Sequence, residues 1–126
     1  MILIDTDVLI WYLRGNEKAY NTIETLESFS ISVVTYMELV QGMRNRKELN
    51  SLRQALHAWN CKILYITEEI SAKAMFAVEQ HFLSHSLQLA DALIGSTAIA
   101  HGLPLITGND KHYKIMKGIQ IKRFRQ

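Results

Sequence analysis

Four carboxylates fall where an α/β chain can gather them: Asp5, Glu38, Asp91 and Asp110. Asp5 directly follows the apolar run Ile2-Leu3-Ile4. Glu38 lies three residues beyond Thr35, which the β-branched run Ile31-Ser32-Val33-Val34 places at a strand end. Thr107 closes the run Leu105-Ile106 and leads into Gly108-Asn109-Asp110. Asp91 sits among Leu89, Ala90, Ala92, Leu93 and Ile94, where a lone carboxylate is costly to bury without a cation or hydrogen-bond donors. Each acid also has an ordinary reading. Thr35 to Glu38 has the form of a capping box, Asp91 suits a helix N-terminus, and Asp110 suits a helix cap. Asp5 suits a turn.

Taken together, the four acids imply more. Carboxylates brought to one sheet edge repel one another unless a cation lies between them. Oxygen donors without a Cys or His pattern favour Mg²⁺ or Mn²⁺ over zinc. Such a centre suits phosphodiester hydrolysis, because the metal lowers the pKa of an attacking water and neutralises charge on the phosphate.

The elements that must position these residues alternate along the chain. Short apolar runs at 2–4, 31–34, 63–66 and 105–106 read as buried strands, and 119–124 alternates like an edge strand with one wet face. Helical stretches cover 8–13, 18–26, 68–82 and 87–101, the last ended by Gly102 and Pro104. A long mixed stretch over 36–59 breaks near Asn45, and another helix runs from Asp110 toward Lys117. This order implies βα units with a mainly parallel sheet covered by helices on both sides, and in such sheets ligands bind beyond the carboxyl ends of the strands.

With 126 residues, 48% of them apolar, residues 1–126 fit one compact domain. The single cysteine, Cys61, excludes an internal disulfide and is expected in the core at a strand edge. No segment has the unbroken apolar length of a membrane span, and the N-terminus lacks a basic leader. We therefore expect a soluble, cytoplasmic protein. Net charge is only +2, but its distribution is uneven. No acid follows Asp110, whereas Lys111, Lys114, Lys117, Lys122, Arg123 and Arg125 do, and Arg44, Arg46 and Lys47 form a second cluster. Arg44, Arg46, Lys111, Lys114, Lys117 and Arg123 are candidate phosphate contacts.

The pieces Ile2-Leu3-Ile4-Asp5-Thr6-Asp7-Val8-Leu9-Ile10, Val34-Thr35-Tyr36-Met37-Glu38-Leu39, Leu89-Ala90-Asp91-Ala92-Leu93-Ile94 and Leu105-Ile106-Thr107-Gly108-Asn109 together resemble a PIN-domain protein, specifically a VapC-type toxin ribonuclease. The resemblance spans the chain. It implies a three-layer α/β/α fold and RNA cleavage with Mg²⁺ or Mn²⁺. It assigns Asp5, Glu38 and Asp91 as metal-holding acids, with Thr6 and Thr107 as supporting hydroxyls. It also implies a homodimer and a cognate antitoxin that lays a peptide arm across the active site, for which Trp11, Leu13, Tyr36 and Leu39 are candidate contacts. In similar proteins a carboxylate usually stands just before the aromatic of the last motif. Here His112 precedes Tyr113, so Asn109 and Asp110 both remain candidates to complete the site.

Two other functions fit parts of the pattern. Asp5-Thr6-Asp7 after a strand mimics the opening of a haloacid-dehalogenase-type aspartyl phosphatase, although the chain is short and lacks that family's later lysine and paired acids. A catalytically inactive RNA- or protein-binding PIN module would be expected to have lost one of the acids. A dinucleotide-binding domain is excluded, since no Gly-rich loop follows the first strand. His81 and His85 are spaced for half a metal site, but no third ligand accompanies them.

Overall fold

A computed structural model describes residues 1–84 and 86–126, so the spacing of His81 and His85 lies outside the described residues. Five strands form one sheet: β1 (Leu3–Ile4), β2 (Phe29–Ser32), β3 (Cys61–Leu64), β4 (Leu105–Thr107) and β5 (Ile121–Arg123). Their order is β3-β2-β1-β4-β5, and every pairing is parallel. Seven helices connect and cover them: α1 (Thr6–Leu13), α2 (Glu17–Glu24), α3 (Val33–Gln41), α4 (Arg46–Ala58), α5 (Glu68–His81), α6 (Leu89–His101) and α7 (Asp110–Tyr113).

The strands read as continuous apolar runs because alternate residues enter two cores. Ile2, Ile4, Phe29, Ile31 and Ile106 pack with Val8, Leu9, Ile23, Leu52 and Leu56 of α1, α2 and α4. Leu3, Leu64 and Leu105 face the other way, onto Ala77, Ile94, Ala98, Tyr113 and Met116. The result is the expected three-layer α/β/α sandwich. Among the described residues, no helix is long and apolar enough to cross a membrane.

Several boundaries differ from expectation. β2 ends at Ser32 rather than at Val34, because the Ser32 hydroxyl accepts the Val34 N–H at 3.0 Å and caps α3. Capping therefore overrides the β-branched character of Val33 and Val34. Thr35 thus lies inside α3, and the Thr35–Glu38 capping box does not form. β3 shifts by the same two residues, since Phe29 pairs with Cys61 and Ser32 with Leu64. A two-residue slip preserves which face each side chain occupies. The helix expected from Asp110 toward Lys117 is a single turn, α7. The break near Asn45 is present, with the Asn45 side chain accepting the Glu48 N–H at 2.9 Å at the start of α4.

Candidate active site at the centre of the sheet

After β1 the chain builds outward through β2 to β3, then returns to place β4 on the other side of β1. The connections diverge between β1 and β4, which leaves a crevice beyond their carboxyl ends. Asp5 leaves β1 there and Thr107 ends β4.

Asp5 is nearly fully buried and is held by three donors. Its Oδ1 accepts the Thr6 N–H at 2.8 Å and the Tyr113 hydroxyl at 3.0 Å, while its Oδ2 accepts the Thr107 hydroxyl at 2.7 Å. Burial nevertheless raises its pKa from 3.8 to about 7, helped by the Asp7 charge and only partly offset by these donors. The Tyr113 phenol is pushed well above its ordinary range by burial and by the charges of Asp5, Asp91 and Asp7, so it remains a donor. A second chain of contacts joins α1 to α3: the Thr6 hydroxyl donates to Glu38 Oε1 at 2.7 Å and lies 2.9 Å from the Thr35 hydroxyl. Thr35 is fully buried. On the β4 side, the Asn109 N–H donates to the Thr107 hydroxyl at 2.9 Å.

Two members of this arrangement were not singled out from the sequence. Asp7 Oδ2 accepts the Gly108 N–H at 2.9 Å, while its Oδ1 is buried without a hydrogen-bond partner. Burial raises the Asp7 pKa as well. From the sequence, Asp7 entered only inside the first PIN-like piece and the phosphatase-like opening, with no role of its own, although its place two residues after Asp5 was a usable signal. Tyr113 entered only as the aromatic of the last motif, with no role of its own. A phenol in the core needs a polar partner, but nothing in the sequence names Asp5 as that partner.

The other candidates are spread more widely. Asp91 belongs to a capping box at the start of α6, accepting the Gln88 N–H at 3.2 Å, and its Oδ2 lies 3.4 Å from His112 Nδ1. Asp110 opens α7 without capping it, and its Oδ1 is 3.5 Å from Arg123 Nε. Asn109 takes the N-cap position, without a side-chain capping bond. Arg44 pairs with Glu48 at 2.7 Å in a separate groove lined also by Leu13, Met43 and Lys47. Arg46 is exposed at the start of α4, and Lys111 and Lys114 are exposed around α7. Lys117 lines another groove with Lys73 and Gln80. Leu39, offered as a partner contact, is a core residue. Cys61 is half-buried at the start of β3, and burial pushes its thiol up to about 12.

Among the described residues, no three His, Cys, Asp or Glu side chains are grouped closely enough to enclose a metal ion as they stand. The donor chemistry nonetheless fits a divalent cation: the buried Asp5 carboxylate stands beside the charge of partly buried Asp7, one of whose oxygens has no hydrogen-bond partner.

This fold and crevice define an α/β protein with an acidic site at the carboxyl edge of its sheet. The PIN domain family profile matches residues 2–118, and the chain belongs to that family. Ribonuclease VapC10 of Mycobacterium tuberculosis is 32% identical over an alignment covering 95% of this chain and 91% of that protein. A toxin–antitoxin complex from Klebsiella pneumoniae contains a chain with a TM-score of 0.75 and 28% identity, covering 94% of this chain and 95% of that one. VapBC2 from Rickettsia felis, bound to a DNA fragment from its promoter, matches the fold with a TM-score of 0.81 at 21% identity, over 99% of this chain and 100% of that one.

Proposed function

We propose that this chain is a Mg²⁺- or Mn²⁺-dependent endoribonuclease and the toxin half of a VapBC-type toxin–antitoxin pair. The observation that carries the reading is buried Asp5 beside partly buried Asp7 in the crevice, with one Asp7 oxygen that no hydrogen-bond donor meets. Asp5, Glu38 and Asp91 hold the cation, and Asp7 adds a fourth negative charge. The cation, when bound, supplies charge neutralisation at the phosphate and acidifies the attacking water. Thr107 and Tyr113 fix the Asp5 carboxylate, while Thr6, whose hydroxyl also meets that of Thr35, orients Glu38. The relationship to a named ribonuclease supports RNA as substrate.

The likeness to a chain of a toxin–antitoxin complex supports an antitoxin as partner. The groove formed by Leu13, Arg14, Met43 and Lys47 suits an amphipathic segment. A homodimer and a cytoplasmic location complete the reading. The purified protein is expected to cut single-stranded RNA only with Mg²⁺ or Mn²⁺, to stop with EDTA, and to leave p-nitrophenyl phosphate intact. Cleavage that persists in EDTA would overturn it, and phosphatase activity would favour the aspartyl-phosphatase alternative.

Asn109 completes the site in this proposal, and Asp110 acts mainly through Arg123. Asn109→Ala removes an amide oxygen beside Thr107, whereas Asp110→Asn keeps the shape of the helix start. Asn109→Ala is therefore expected to lower Mg²⁺-dependent turnover more than Asp110→Asn, with melting temperatures little changed. The opposite order of rates would make Asp110 the completing residue.

A further inference from the structure

We infer that the cleft beside the acidic crevice is a nucleotide subsite, in which one base of the RNA strand flanking the cut stacks on Trp11 and its phosphate meets Arg123 and Arg125. This rests on the ribonuclease reading above and names how that site grips its substrate.

The cleft has a volume of about 530 Å³, within the ~300–1,000 Å³ range of small-ligand sites. It begins at Asp7, Gly108 and Asn109, so a strand leaving the crevice enters it directly. Trp11 of α1, Arg123 and Arg125 all line it. The indole is half-buried against the first core, and the Arg14 guanidinium lies over its ring, 5.6 Å from the centroid. Packing and the Arg14 cation hold the ring in place, so the part of it that lines the cleft has little freedom to lose when a base settles against it.

The basic side is available for phosphate. Arg123 is about half exposed, and its Nε stands 3.5 Å from Asp110 Oδ1, long for a hydrogen bond. Arg125 is exposed and has no carboxylate partner among the described residues. An aromatic ring sharing a cleft with two arginines matches a flat base carrying an anion, and stacking of this kind tolerates any base. A protein segment entering the same cleft would need acidic groups for Arg123 and Arg125, yet would meet Asp7 at the inner end.

The test uses the full chain with Asp5→Asn to prevent cleavage and Trp59→Phe to leave Trp11 as the sole indole. Titration with a short single-stranded oligoadenylate is expected to quench Trp11 fluorescence saturably, and an oligomer abasic at the stacked position is expected to lose that quenching. Trp11→Ala should weaken binding roughly five- to a hundredfold, while Trp11→Tyr retains most of it. Arg125→Ala, an exposed change unlinked to folding, should lower the salt slope of binding by ~0.7.

Unchanged fluorescence and unchanged affinity in Trp11→Ala and Arg125→Ala would overturn the subsite. The same holds if Trp11→Ala loses only antitoxin binding, which would assign the cleft to protein. If Trp11→Ala does not fold, the quenching experiment and Arg125→Ala decide the matter without it. Metal-dependent RNA cleavage by the parent protein is measured alongside, so failure of the subsite is distinguished from failure of the ribonuclease reading.

Discussion

Asp5→Asn is expected to lower metal-dependent RNA cleavage at least about a thousandfold, equivalent to ~4 kcal/mol in the barrier, while stabilising the metal-free protein. Both effects come from the same charge. Asp5 is buried beside Asp7, and this cost raises its pKa from 3.8 to about 7 despite three donors. Asparagine keeps an oxygen for the Thr6 N–H and the Tyr113 hydroxyl, and the Thr107 hydroxyl can turn to accept from the new amide. The gain in the metal-free state is roughly 1–3 kcal/mol. The sign with pH follows from the raised pKa. Folding favours the protonated form, so the Asp5 contribution to stability is fully present at low pH and is lost as pH rises from about 4 through about 7. The variant should lose less over that window. Single-turnover cleavage and metal-free melting curves at pH 5 and pH 8 check both halves. A variant within about tenfold of wild-type activity would remove Asp5 from the principal metal-holding groups.

Gly108→Ala should harm both stability and catalysis. A methyl group there would stand 2.8 Å from Asp7 Oδ2 and 3.3 Å from the carbonyl oxygen of Phe124. The first contact falls on the same carboxylate that accepts the Gly108 N–H. Asp7 has a short side chain in the first turn of α1, so it cannot swing clear as a lysine would. Relief requires the β4–α7 connection to move away from α1, carrying Asn109 with it. Overpacking of this kind costs about 1–3 kcal/mol, and a displacement of about 1 Å at reacting groups can cost about a hundredfold in rate. Thermal melting and Mg²⁺-dependent cleavage measure the two effects. Wild-type activity in a destabilised variant would mean that the Asp7–Gly108 contact is structural only.

Much of this site was legible from runs and spacings. The apolar runs ending at Asp5 and Thr107 were recognisable because a strand buried on both faces leaves few polar positions, and the first residues beyond it fall at the carboxyl edge. The placement of Thr35 was less accessible. Val33 and Val34 look like strand residues, and a single hydroxyl at Ser32 decides that they begin a helix. The role of Tyr113 was hidden for a different reason. Its partnership with Asp5 spans 108 positions and depends on a one-turn helix too short to have a period. Asp7 lay in plain view, but its closeness to Gly108 appears only when β1 and β4 are neighbours.

That neighbouring pair also governs when the enzyme comes into being during synthesis. The Asp5–Thr107 hydrogen bond joins residues 102 positions apart, and β1 cannot acquire β4 until α5 and α6 have been translated. A nascent chain that has emerged only through α5 has Asp5, Asp7 and Glu38 but lacks Asp91, Thr107, Asn109 and Tyr113. Strand pairing at such separation comes late in folding, because a long loop must close first. An unfinished chain therefore carries only part of the proposed site, and the crevice between β1 and β4 forms only once the last third of the chain has been made.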